Sequence, residues 1–138
     1  MTKKMRDIMS AAPVCMAPGE SLFAAARAMG RHATGTVLVL AGGRLRGLVT
    51  DRDVAMLVLA EDRDPRSTLI GDICGGELAT LGPDDDLAEA RRLVRERAVR
   101  RIPVLEDGIA VGVVSAGDLA LEAGPAPCAC PPPWSGCH

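Results

Sequence analysis

The chain repeats itself. Shifted by 65 residues, residues 5–55 fall on residues 70–120 without a gap. Asp7-Ile8 meets Asp72-Ile73, Pro18 meets Pro83, Leu22 meets Leu87, Ala25 meets Ala90 and Arg27 meets Arg92. Val39-Leu40 then meets Val104-Leu105, Gly43 meets Gly108, Gly47 meets Gly112, Val49-Thr50 meets Val114-Ser115 and Asp53 meets Asp118. Chance does not keep register over about 50 residues, so one supersecondary unit has been duplicated. The expected division is a first unit with an N-terminal lead-in over 1–60, a charged, proline-containing linker over 61–69 and a second unit over 70–123. The remaining 124–138, rich in Pro and Cys, has no counterpart and reads as a flexible tail.

Each unit reads β-α-β-β-α. Val14-Cys15-Met16 is a short strand, with Cys15 expected to be a small buried residue. Leu22, Ala25, Ala26 and Met29 recur at helical spacing after Ser21. In the second copy Asp86 precedes Leu87, Ala90, Val94 and Ala98, and Glu89 three residues on makes a capping-box-like start. Val37–Leu40 and Leu45–Val49 are strands joined at Gly42-Gly43, and the second hairpin turns at Asp107-Gly108. Helices follow over Asp51–Ala60 and Ala116–Ala123. One such unit, with one aromatic residue at most, buries too little apolar area to offset its chain entropy. Two units packed sheet to sheet about a pseudo-two-fold axis solve that problem, giving an α/β (α+β) fold. They also create clefts at the seam, where ligands commonly bind.

Composition excludes several function classes. Sixteen Lys plus Arg against 18 Asp plus Glu, a net charge of −2, provide no dedicated nucleic-acid surface. Phe23 and Trp134 are the only aromatic residues, too few for base-stacking platforms. Uncharged stretches of the body such as Ser10–Gly19 and Ala33–Gly43 are far short of the ~20 apolar residues of a membrane span. With no apolar run behind Lys3, Lys4 and Arg6, no signal peptide is readable, and the expected location is the cytoplasm. Five cysteines without framework spacing fit free thiols or metal ligands better than disulfides.

The informative motif closes each unit: Gly47-Leu48-Val49-Thr50-Asp51-Arg52-Asp53 and Gly112-Val113-Val114-Ser115-Ala116-Gly117-Asp118. A hydroxyl and a carboxylate three residues apart at a helix start offer acceptors to ribose hydroxyls beside backbone N–H groups that suit an anion. Together they describe a ribonucleotide seat. The same spacing also describes an ordinary helix N-cap, and duplication copies caps too. The second signal is Arg100-Arg101 before the strand Ile102-Pro103-Val104. Guanidinium groups bind phosphate bidentately, although cations at a helix C-terminus are also favoured by the helix dipole alone. The first copy has Gly35-Thr36 there, so the two clefts should be unequal toward phosphate.

These motifs, in order and twice, resemble a tandem pair of cystathionine-beta-synthase (CBS) domains, a Bateman module. The resemblance runs from Met5-Arg6-Asp7-Ile8-Met9, Pro18 and Ser21-Leu22 through both closing motifs, and includes Arg101-Ile102-Pro103-Val104. Two places depart from the family pattern: Leu38 stands where a strand proline is expected, and Cys74-Gly75-Gly76 replaces a Met-containing opening. The resemblance implies a regulatory module that binds AMP, ADP, ATP or S-adenosylmethionine in its clefts. It implies ribose at Asp53 and Asp118, with Thr50 and Ser115 near ribose or phosphate. It implies adenine read by backbone at Val14, Cys15 and Met16 and at Ala79, Thr80 and Leu81, with phosphates at Arg100 or Arg101. It also implies a homodimer formed through helices, and signalling to a separate, unidentified partner protein.

No nucleophile with a base, metal triad or Walker-type loop is readable, so an enzyme is not expected. The alternative to a ligand sensor is a protein–protein interaction or dimerisation module in which Thr50, Ser115 and the aspartates are only caps. In the tail, Cys128, Cys130, Cys137 and His138 could supply four zinc ligands, although Cys-x-Cys fits zinc spacing poorly and incidental thiols are the competing reading. His32 reads as a surface residue at a helix end.

Overall fold

The computed structural model describes residues 3–74 and 78–122; the tail ligand set Cys128, Cys130, Cys137 and His138 lies outside them. The elements are α1 (Met5–Ile8), β1 (Ser10–Ala11), β2 (Cys15–Met16), α2 (Leu22–His32), β3 (Thr36–Ala41), β4 (Arg44–Thr50) and α3 (Asp51–Ala55). They continue with α4 (Ile70–Ile73), α5 (Leu87–Arg97), β5 (Arg101–Glu106), β6 (Ile109–Ser115) and α6 (Ala116–Glu122). Two three-stranded sheets form, ordered β2-β3-β4 and β1-β6-β5. The fold is mixed α+β, a duplicated pair.

The register of 65 extends to backbone detail. Both hairpins carry an irregularity at the same place, Val39/Leu40 and Val104/Leu105. Their turns use left-handed residues at Gly42-Gly43 and at Asp107-Gly108, as two-residue hairpin turns require. The helices α2 and α5 are capped by Ser21 and Asp86, whose side chains accept from Ala24 N and Glu89 N. Both end on a left-handed alanine, Ala33 and Ala98. Ala98, expected on the apolar stripe of its helix, is therefore the residue that ends it. Glu89 does not close a capping box: its carboxylate binds Arg92, and that hydrogen bond holds it below the usual carboxylate range.

The two lead-ins are exchanged. Met5 and Arg6 donate to the carbonyls of Asp85 and Pro83, and Ile70 and Gly71 donate to those of Glu20 and Pro18. Met5 is fully buried in the cluster of Leu81, Ala90, Ile102, Val104, Val114 and Leu119. Ile70 is buried in the cluster of Leu22, Ala25, Met29, Val37, Val39 and Val49. Each apolar core is thus completed by the lead-in that belongs, in sequence, to the other repeat.

Two further sequence expectations fail. Cys15 is exposed, because β2 lies at a sheet edge and its neighbour Met16 takes the inward position. The helix expected over 51–60 is α-helical only to Ala55 and continues as a π-helical turn over Met56–Ala60. Leu57 and Val58 pack on the core, while Met56 and Leu59 remain exposed.

Candidate functional site

The closing motifs form reciprocal caps in both repeats. Thr50 N donates to Asp53 Oδ2 at 2.9 Å and Asp53 N donates to Thr50 Oγ1 at 3.2 Å. Ser115 and Asp118 do the same at 2.9 and 3.0 Å. The other amides at the start of α3 are also occupied: Asp51 N donates to the Gly35 carbonyl and Arg52 N to Asp51 Oδ1. The helix start therefore has no free N–H among Thr50–Asp53 for an anion, and the cap absorbs one carboxylate oxygen of Asp53.

What surrounds the two caps differs. A hollow of about 330 Å³ is bordered by Leu48, Thr50, Arg52, Asp53, Leu78, Ala79, Val99, Arg100 and Arg101. It shares Arg52, Val99, Arg100 and Arg101 with a second cleft of about 650 Å³, which is also lined by Asp51, Val94, Ala98, Ser115, Ala116 and Gly117. Ser115 thus borders the larger cleft, but Asp118 borders neither. Among the adenine-edge candidates, Ala79 borders the smaller hollow and Thr80 and Leu81 follow it in the chain. Met16 borders a separate hollow with Glu20, Phe23, Ala24, Arg27 and Arg31, and neither Val14 nor Cys15 borders the first two clefts.

The strand proline accounts for one difference between the repeats. In the first copy Leu38 N donates to the Val14 carbonyl at 2.8 Å, and β2 pairs with β3 over two residues. In the second copy Pro103 takes the place of Leu38 and has no N–H. Pairing there shrinks to one bridge, Leu81 to Val104, held by Leu81 N to the Pro103 carbonyl and Leu105 N to the Leu81 carbonyl. The Ala79 carbonyl, counterpart of that of Val14, receives no such bond and lies in a segment bordering the smaller hollow.

Arginine dominates the shared wall. Arg101, half-buried at the start of β5, places Nη1 3.7 Å from Asp51 Oδ1, an ion pair across the seam between repeats. Gly35 makes room for it: a Cβ there would stand 2.8 Å from Asp51 Oδ2 and 3.1 Å from Arg101 Nη2. Sequence reasoning singled out Arg100 and Arg101 but not Asp51, Arg52 or Val99. Asp51 and Arg52 occupy the variable positions of the closing motif, and the only signal for them was that they are charged where the second copy has Ala116-Gly117.

The family model described as CBS domain matches twice, over residues 5–60 and 70–123. The chain belongs to the CBS domain family. The CBS domain-containing protein YhcV of Bacillus subtilis (strain 168) is 32% identical over 118 residues, covering 86% of this chain and 84% of that protein. The solved CBS domain NE2398 superposes with a TM-score of 0.78 at 26% identity, covering 89% of this chain and 98% of the other. The CBS domain pair of MJ0100, solved with 5-methylthioadenosine and S-adenosyl-L-methionine, shares the fold at a TM-score of 0.79 and 22% identity, covering 90% and 98%. This CBS pair has no described helix long and apolar enough to cross a membrane.

Proposed function

We propose that this CBS pair is a regulatory, non-catalytic cytoplasmic protein that holds an adenosine-containing ligand (AMP, ADP, ATP or S-adenosylmethionine) at the seam between its repeats. Binding would then change what a separate partner protein reads. The observation that carries this reading is that Thr50, Asp53, Ala79, Arg100 and Arg101 border one hollow. The hollow thus combines a spare carboxylate oxygen for sugar hydroxyls, a backbone segment with an unspent carbonyl and guanidinium groups for phosphate. The volumes of the two joined clefts fall within the range of small-molecule sites, about 300–1,000 Å³. The fold-level likeness to the MJ0100 pair, which was solved with two adenosine compounds, supports the same class of ligand.

Thermal shift and calorimetry with AMP, ADP, ATP and S-adenosylmethionine test this reading. A ligand at a hundred times its Kd adds about 2.7 kcal/mol of stability. Asp53→Ala should lose that gain while remaining folded. Asp118→Ala removes the same cap from the other repeat, at a residue that borders neither cleft, and should keep it.

A second reading is favoured by the caps themselves. Both hydroxyl–carboxylate pairs are engaged in them, so the pairs have a structural role of their own. On that reading the chain is a protein–protein interaction or dimerisation module, and none of the four compounds changes its melting temperature. Either reading includes a homodimer, whose contact we assign to Met56 and Leu59, 51% and 83% exposed on one π-helical turn.

A further inference from the structure

The ion pair between Arg101 and Asp51 bears on which adenosine compound fits. Arg52, Arg100 and Arg101 stand on the wall shared by the two clefts, so a nucleoside seated in the smaller one extends its substituent past three guanidinium groups. With the amides of Thr50–Asp53 engaged inside the protein, these side chains are the charged anion donors of that wall. Arg101 alone of the three has an ion pair among the described residues, and it is loose. Its nitrogen lies 3.7 Å from Asp51 Oδ1, beyond hydrogen-bonding distance, and that oxygen already accepts from Arg52 N at 2.8 Å. The Asp51 side chain is 65% exposed, so water can solvate it once it is released. The other seam lacks the device: the counterparts of Asp51, Arg100 and Arg101 are Ala116, Gly35 and Thr36.

We propose that Asp51 is a built-in stand-in for ligand phosphate, holding Arg101 across the seam and yielding it to an adenosine di- or triphosphate. This rests on the adenosine reading above and narrows it. Three guanidinium groups against the carboxylates of Asp51 and Asp53 favour a polyphosphate and disfavour a compound whose substituent, with a sulfonium, an ammonium and one carboxylate, is cationic overall. Capture of phosphate by Arg101 exchanges a tie between the two repeats for a tie to the ligand.

The test is calorimetry of ATP, ADP, adenosine and S-adenosylmethionine against the full chain, Asp51→Asn and Arg101→Gln. Asparagine keeps an oxygen for Arg52 N–H, and Ala116 at the equivalent place shows that this helix start needs no carboxylate there. Asp51→Asn should tighten ATP and ADP about three- to fivefold, the scale of an exposed ion pair, and leave adenosine unchanged. Arg101→Gln should weaken ATP about tenfold, again without effect on adenosine. The role of Asp51 is overturned if Asp51→Asn leaves ATP binding unchanged or weaker, or tightens adenosine equally. The polyphosphate preference is overturned if S-adenosylmethionine binds the wild-type chain more tightly than ATP. If all four compounds fail to bind the wild-type chain, the adenosine reading itself falls and this inference falls with it.

Discussion

The Met9 side chain covers Gly112 so closely that a Cβ on the glycine would stand 2.5 Å from the sulfur and 2.9 Å from the Ser10 carbonyl. Its counterpart holds one repeat away, where a Cβ on Gly47 would stand 2.8 Å from the Cys74 carbonyl. Each glycine is the floor on which the other repeat's lead-in rests. Gly112→Ala and Gly47→Ala should each cost about 1–3 kcal/mol, as overpacking against backbone does. Gly30→Ala, with nothing within 4 Å, should instead stabilise α2 by about 0.5–1 kcal/mol. Urea unfolding of the three variants checks both signs.

The exchange makes a second prediction. Met5→Ala should cost about 2–5 kcal/mol, since Met5 is fully buried. The damage should appear in hydrogen exchange of β5 and β6, which flank its pocket, before β3 and β4. Ile70→Ala should reverse that order.

Thiol chemistry follows burial. Alkylation of the native chain, mapped by peptide mass spectrometry, should mark Cys15 well before Cys74. Burial pushes the Cys74 thiol up, against a smaller pull down from its backbone hydrogen bond and from Arg46. The fold therefore favours the neutral thiol. That contribution is complete below the ordinary thiol pKa of about 8.5 and is lost as pH rises through the higher folded value. Stability should thus fall less steeply above about pH 8.5 in Cys74→Ala than in the wild-type chain.

The exposed π-helical turn gives a prediction for assembly. Leu59→Glu replaces an apolar side chain that is 83% exposed, so monomer stability should change by less than about 0.5 kcal/mol. Sedimentation equilibrium should show the homodimer proposed above weakened in this variant and unaltered in a control at exposed Ile109, on the hairpin of the second repeat.

Much of the fold was legible because a duplicated sequence states its own register. The positions of the hairpins, the caps at Asp86, Thr50 and Ser115, and the glycine turn at Gly42-Gly43 all follow from residue type and spacing. The lead-in exchange was not legible, since periodicity places Met5 and Ile70 in cores without saying whose. Nor were the left-handed ends at Ala33 and Ala98, where alanine has no intrinsic preference for that conformation. At the candidate site, Thr50, Asp53, Arg100 and Arg101 were found as separate motifs. Their meeting around one hollow, and the presence of Asp51 opposite Arg101, depend on packing between repeats. Gly35, facing that pair, carries its signal only in hindsight: its lack of a side chain is what admits two others.

The crossed lead-ins also govern how the gene can be divided. A break between residues 61 and 69 would give two polypeptides, each lacking the plug for its own core and carrying the one its sibling needs. Neither half should fold by itself, whereas mixing the two should reconstitute the pair. Once the copies had traded ends in this way, neither could hold its core without the other.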